Sequence, residues 1–217
     1  MTGAVLWDLD GTLVDSAEQH WRAWVETMAA ERASITREQF QATFGQRNDS
    51  FVPAWLGSRA TPADVVRVSD AKEARYRELV RENGLTPLPG AAAWLQRLAA
   101  RGWKQAVASS APRPNVDAMI AALGLEAWFQ TIVAAEDVRR GKPDPEVFLT
   151  AAARLGVEPA RAIVVEDAAA GIAAGRRAGM RTIGISHNGA SLGADLETPS
   201  LAALPQDAFD RLLALRP

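Results

Sequence analysis

The chain has 217 residues, is 48% hydrophobic, and carries Lys+Arg 24 against Asp+Glu 26 for a formal charge of −2. That length and apolar content support a substantial core with room for a smaller insert, while the near-neutral balance offers no global field to recruit nucleic acid or an anionic membrane. With no cysteine, a disulfide framework, a thiolate nucleophile and cysteine-bound zinc are excluded; with neither a run of about 18 apolar residues nor a signal-peptide pattern, the expected location is the cytoplasm.

In chain order, residues 7–16, WDLDGTLVDS, carry the most information. The apolar run Ala4, Val5, Leu6, Trp7 predicts a strand that delivers Asp8 and Asp10 to a loop. The two point the same way if the strand period continues, and Gly11 leaves the backbone free to approach an anion. Two nearby carboxylates in a buried setting require a cation or a proton between them. A carboxylate nucleophile, a second carboxyl as proton donor and a divalent ion between them would use every part of this arrangement.

Next comes a segment of different character. Ser16 with Gln19 predicts a capping box, after which Trp21, Trp24, Val25 and Met28 fall at helical spacing; further helical patterns cover 36–44 and 61–83. With no clear strand here, 16–87 reads as an all-helical insert between the first strand segment, 1–15, and the remainder, 88–217, with hinges near 13–16 and 84–90. Trp21, Trp24, Trp94 and Trp128 sit at apolar helix positions and read as packing rather than ligand stacking.

From residue 88 onward short apolar runs alternate with helical patterns. Strands are predicted at 105–108, 131–134, 162–165 and 182–185, with the intervening helices stopping at Gly102, Gly124, Gly156 and Gly179. The expected fold class is α/β, a doubly wound parallel sheet with an inserted α-helical cap. Ligands bind beyond the carboxyl ends of strands in such sheets. The residues that follow the apolar runs are Asp8 and Asp10, Ser109 and Ser110, Lys142 before Pro143, and Glu166 with Asp167. Acids, a hydroxyl and one lysine at a single rim suit phosphate plus Mg²⁺. Glu166 and Asp167 can also cap a following helix, Ser109 and Ser110 one starting near Pro112, and His187 reads as an ordinary loop residue. The chain lacks GxSxG, and the region before Gly141-Lys142 lacks the glycine of a Walker loop.

DLDGT, Ser109 after its apolar run, Gly-Lys-Pro at 141–143 and Glu-Asp at 166–167 resemble, in order and across essentially the whole chain, the four motifs of the haloacid dehalogenase superfamily. The resemblance implies that Asp8 attacks phosphorus to form an aspartyl phosphate, while Asp10 protonates the leaving oxygen and then deprotonates water. It further implies that Lys142 and Ser109 hold phosphoryl oxygens, and that Mg²⁺ is held by Asp8, Asp10 through its carbonyl, Glu166 and Asp167. Thr12 and Ser110 are weaker contacts to substrate. Dehalogenating members lack the second aspartate and the metal site, so Asp10 and Asp167 favour phosphoryl transfer.

Inserts at this position in the family are caps that close over the site and select substrate. His20, Arg47 and Lys72 match polar positions of the beta-phosphoglucomutase-like branch, where the arginine clamps a distal phosphate and the histidine and lysine lie near the hinge. The HWRAW segment at 20–24 is similar to that branch. Its mutases follow the second-motif serine with a Ser-Lys-Asn type segment, whereas this chain has Ala111, Pro112 and Arg113. The expectation is therefore a Mg²⁺-dependent phosphatase of small phosphorylated metabolites, with a hexose phosphate mutase next and a phosphoryl-accepting signalling domain last. No nucleic-acid or membrane partner is expected, and the chain is read as a monomer or weak homo-oligomer.

Overall fold

The computed structural model describes residues 3–58 and 60–214. Strand β1 (Ala4–Trp7) is buried along its whole length, as a strand covered on both faces must be, and its apolar run suits that position. It lies between β4 (Lys104–Ala108) and β6 (Ala162–Glu166), pairing in parallel with both. Beyond them lie β5 (Thr131–Val133) on one side, and β7 (Arg181–Ile185) and β8 (Leu196–Thr198) on the other, giving the order β5-β4-β1-β6-β7-β8. The chain runs outward from β1 through β4 to β5 and then returns to β6 on the opposite side of β1. The crevice at that reversal is where such sheets bind ligands.

The strand period sorts side chains to two faces. Val5 and Trp7 enter a cluster with Trp94, Leu95 and Leu98 of α5 (Ala91–Ala100), Val116 and Met119 of α6 (Arg113–Leu123), and Phe209 of α9 (Ala208–Ala214). Ala4 and Leu6 face the other way, against Phe148 and Leu155 of α7 (Glu146–Leu155) and Ala174 of α8 (Ala169–Arg177). Gly124 and Gly156 cap α6 and α7 in left-handed backbone, so the predicted glycine stops hold.

Between residues 15 and 86 the described residues form four helices: α1 (Ala17–Ala30), α2 (Arg37–Thr43), α3 (Asn48–Leu56) and α4 (Pro62–Asn83). They enclose an apolar cluster of Trp24, Met28, Phe40, Phe51, Val52 and Val68. Ala23 of α1, with Tyr76, Leu79 and Val80 of α4, belongs to the sheet-side core instead, so the α1/α4 pair spans both interiors. Thr36 with Gln39, and Thr61 with Asp64, form complete capping boxes that set where α2 and α4 begin. The two chain crossings into this segment lie side by side. Strands β2 (Val14–Asp15) and β3 (Thr86–Pro87) pair antiparallel, and Leu88 N–H donates to Leu13 O at 2.9 Å.

Three sequence expectations are corrected. The capping box at Ser16 is not formed: Ser16 makes no side-chain cap bond, its hydroxyl donating instead to Asp10, while Gln19 Nε2 donates to Gly84 O at 3.3 Å. Residues 48–56, which show no helical period, form α3 with Pro53 inside it. β2, β3 and β8 are two or three residues long, too short for alternation to mark them.

Candidate active site

Asp8 sits at the first position beyond β1, and its N–H donates to Val165 O of β6 at 3.0 Å, which extends the parallel ladder one residue past the strand. The next turns are tight. Gly11 has φ +76°, and a Cβ there would fall on the Asp167 carboxylate, so both backbone handedness and space require glycine at this point. On the neighbouring strands, Ser109 N–H donates to Val133 O at 3.0 Å, and Ser109 Oγ accepts from Ala111 N–H at 3.0 Å. The sheet thus brings the ends of β1, β4 and β6 together.

Lys142 reaches this point from the loop after β5. Its Nζ lies 2.6 Å from Asp8 Oδ1 and 2.6 Å from Glu166 Oε1, and the side chain is 4% exposed. Burial disfavours its charge, but the two carboxylates outweigh burial and raise its pKa. Glu166 is also anchored by accepting from Ala168 N–H at 2.8 Å, so it does cap the following turn while facing the site. Carboxylate oxygens of Asp8, Glu166 and Asp167 lie within 4.8 Å of one another. Burial, with the charge of Glu166 added to what Lys142 takes away, pushes the Asp8 carboxyl up to about 8. Burial and the charges of Glu166 and Asp8 likewise hold Asp167 well above the usual carboxylate range. Three converging carboxylates against one lysine present hard oxygen donors and more negative charge than Lys142 neutralises; this donor set fits Mg²⁺.

Asp10 faces elsewhere. Its Oδ1 accepts from Ser16 Oγ and meets His20 Nε2 at 3.2 Å. Burial alone would raise its pKa, but His20, Ser16 and the Lys72 charge together hold it below the usual range. Lys72 Nζ donates to His20 Nδ1 at 2.8 Å, which leaves the imidazole proton on Nε2, directed at Asp10. Burial and the positive Lys72 depress the His20 pKa; the ring therefore serves as a neutral donor, stacked on Tyr76 at 3.9 Å between centroids. Lys72 itself is buried and paired with Glu73 Oε1 at 2.9 Å.

Arg47 is the N-cap residue of α3. Its Nη1 donates to Ala135 O at 3.3 Å, its Nη2 pairs with Asp49 Oδ2 at 3.4 Å, and its stem passes so close to Gly141 that a Cβ there would meet Arg47 Cδ at 2.7 Å. Ser110 lines the cleft half-buried, whereas Thr12 is fully buried with its hydroxyl unpartnered. A single cleft of about 510 Å³ gathers Asp8, Asp10, Ser109, Lys142 and Asp167 from the sheet side with His20, Arg47 and Lys72 from the helical segment.

Sequence reasoning missed Ser16, Glu73 and Asn115 as parts of this site, and it left His187 as a plain loop residue although its Nε2 lies 2.6 Å from Gly11 O. Ser16 had a stronger local reading as a helix cap, and the others are joined to the site only by hydrogen bonds between residues distant in sequence.

The haloacid dehalogenase-like hydrolase family model matches residues 2–179. Beta-phosphoglucomutase of Bacillus subtilis (strain 168) is 34% identical over 201 residues, covering 89% of this chain and 87% of its own. Hexitol phosphatase A of Escherichia coli K12 is 35% identical, with 83% and 82% covered. Among solved structures, CbbY from Rhodobacter sphaeroides in complex with phosphate superposes with a TM-score of 0.88 at 29% identity, covering 97% of this chain and 100% of that one.

Proposed function

The chain belongs to the haloacid dehalogenase-like hydrolase family and is a phosphatase or beta-phosphoglucomutase-like enzyme of phosphorylated metabolites; from that premise we propose a Mg²⁺-dependent phosphatase of sugar or polyol monophosphates that works through a phosphorylated Asp8. The observation that carries this reading is the clamp of Lys142 on Asp8 and Glu166 beside Asp167, at the end of the central strand.

Each residue has a task in that chemistry. An Asp8 oxygen forms a bond to phosphorus as the bond to the leaving oxygen breaks, and Lys142 follows the charge onto the transferring oxygens. Ser109 Oγ, beside it on the rim, donates to another of those oxygens. Mg²⁺ bound by Asp8 and Asp167, with Glu166 behind them, would supply the positive charge that lets an anionic nucleophile approach an anionic ester. Asp10 gives a proton to the departing alkoxide, takes one from the attacking water, and so restores Asp8 and releases phosphate. With Ser16 and His20 attached, Asp10 is an ionised carboxylate, the form that serves the second half of the cycle. Proton donation in the first half requires the protonated form.

Two features favour hydrolysis over mutase chemistry. Arg113, in the segment where mutases of this branch place gripping residues, is exposed and pairs with Asp117 at 2.8 Å. Arg47, the cation on the cap side best placed for a second phosphate, is partly countered by Asp49. A substrate with one phosphate and a hydroxylated body matches this lining better than a bisphosphate.

A panel of sugar and polyol monophosphates assayed with Mg²⁺ tests the reading. Phosphate release is expected; chelation should stop it, and Asp8→Asn should lower kcat by more than about a thousandfold without loss of folding. Normal turnover by that variant would reject the nucleophile. Supplying beta-glucose 1-phosphate with a trace of the 1,6-bisphosphate separates the alternatives, since glucose 6-phosphate in excess of free phosphate would establish the mutase.

A further inference from the structure

Asn115, on α6, is fully buried, and both ends of its amide are held by residues of α4. Nδ2 donates to Glu73 Oε2 at 2.5 Å, while Oδ1 accepts from Arg77 Nη1 at 2.8 Å. A guanidinium only donates and a carboxylate only accepts, so one amide orientation alone satisfies both neighbours. Glu73 and Arg77 are one helical turn apart and share a face, which is why a single side chain can meet the two. The other oxygen of Glu73 accepts from Lys72 Nζ at 2.9 Å and from Asn48 Nδ2 at 2.6 Å. Lys72 continues to His20 and His20 to Asp10. The helix that begins just beyond the Ser109 rim is thereby joined, side chain by side chain, to Asp10 by way of α4 and α1.

We propose that Asn115 is a positioning residue: it is the sheet-side half of a clasp that keeps α4 seated on α6 and, through Glu73, Lys72 and His20, fixes the orientation of Asp10. The proposal rests on the reading of Asp10 as acid and base. Burial would raise the Glu73 pKa, but the Lys72 charge and the hydrogen bond from Asn48 hold it low, so Glu73 is a charge enclosed by its partners. Lifting α4 would remove Asn115 from that charge and from Arg77 together, and groups buried without partners cost more than any one bond contributes. The clasp therefore favours one seating of α4 over nearby ones.

Exchanging the acid and the amide across the contact tests this. Asn115→Asp sets carboxylate against carboxylate; Glu73→Gln sets donor against donor, and turning the Asn115 amide over only moves the clash to Arg77. The double variant N115D/E73Q places the acid on α6 and the amide on α4, which satisfies Arg77, Lys72 and Asn48 again. Each single variant should lower kcat and speed amide exchange across the facing parts of α4 and α6 by about tenfold or more, and the double variant should return both to within about threefold of the native protein. If neither single variant folds, recovery of folded yield in the double variant is the same rescue. Native kcat and exchange in both single variants would overturn the proposal, as would a double variant no better than the worse single. A fall in melting temperature with kcat unchanged would overturn it too. Exchange is read without substrate, so a chain inert on every phosphate in the panel would defeat the functional reading and still report on the clasp.

Discussion

Asp8 and Lys142 share one short contact, yet removing either should have opposite consequences for folding. Asp8→Asn deletes a charge that burial already penalises, as its raised pKa records, so the fold should tolerate it. Lys142→Met removes the shared cationic partner of Asp8 and Glu166, whose side chains are 10% and 2% exposed. Two crowded carboxylates would then face a dry site, and the variant should unfold about 3 kcal/mol more easily in denaturant titrations without added metal. Equal stability of Lys142→Met and native protein would mean that the clamp has little structural weight.

Among the elements, α2 provides a clean separation of stability from chemistry. Thr36 closes its capping box with Gln39 far from the carboxylate cluster, accepting from Gln39 N–H at 3.2 Å. Thr36→Ala should cost about 1 kcal/mol in unfolding free energy, and kcat for any monophosphate substrate should stay as it was. The same helices mark what a sequence can and cannot disclose. α2 and α4 were legible because caps and periodicity are local signals, written within a few residues. Ser16 carried the same local signal, but the half-buried Asp10 carboxylate competed for its hydroxyl and prevailed. No window of sequence reveals that competition, because it depends on a loop and a helix meeting in space. α3 escaped for another reason: its helical character depends on Phe51 and Val52 packing into the interior of the helical segment, not on a propensity visible over nine residues.

For the whole molecule, the sheet order converts four separated motifs into one site. β1 lies between β4 and β6, so residues more than 130 positions apart, such as Asp8 and Lys142, come within hydrogen-bonding distance. The core acids and Ser109 stood out in the sequence because each follows an apolar run, and strand ends of a parallel sheet share a rim, whereas Lys142, in the loop beyond β5, was marked by its Gly-Lys-Pro setting. The partners Glu73 and Asn115 were not, since nothing in either local sequence distinguishes a buried amide from a surface one. Their contact also gives the molecule an acid limit. Glu73 ionises below the ordinary value of 4.5 when folded, so as pH falls the unfolded chain takes up the proton first. The stabilisation is complete above that ordinary value and drains away as pH drops through the lower folded one. Melting temperatures followed from pH 6 to 3 should therefore decline less steeply in Glu73→Gln than in the native protein, even though the variant starts from a lower value; parallel curves would remove Glu73 from the acid transition.

The helical segment has an apolar interior of its own, built from Trp24, Met28, Phe40, Phe51, Val52 and Val68, apart from the two clusters that sandwich the sheet. Mutational drift within that small interior can reshape the wall facing a ligand's tail while the strands that carry the reacting carboxylates keep their registry. A lineage built this way can vary that wall so long as His20, Lys72 and Glu73, which join the segment to the sheet side, stay in place.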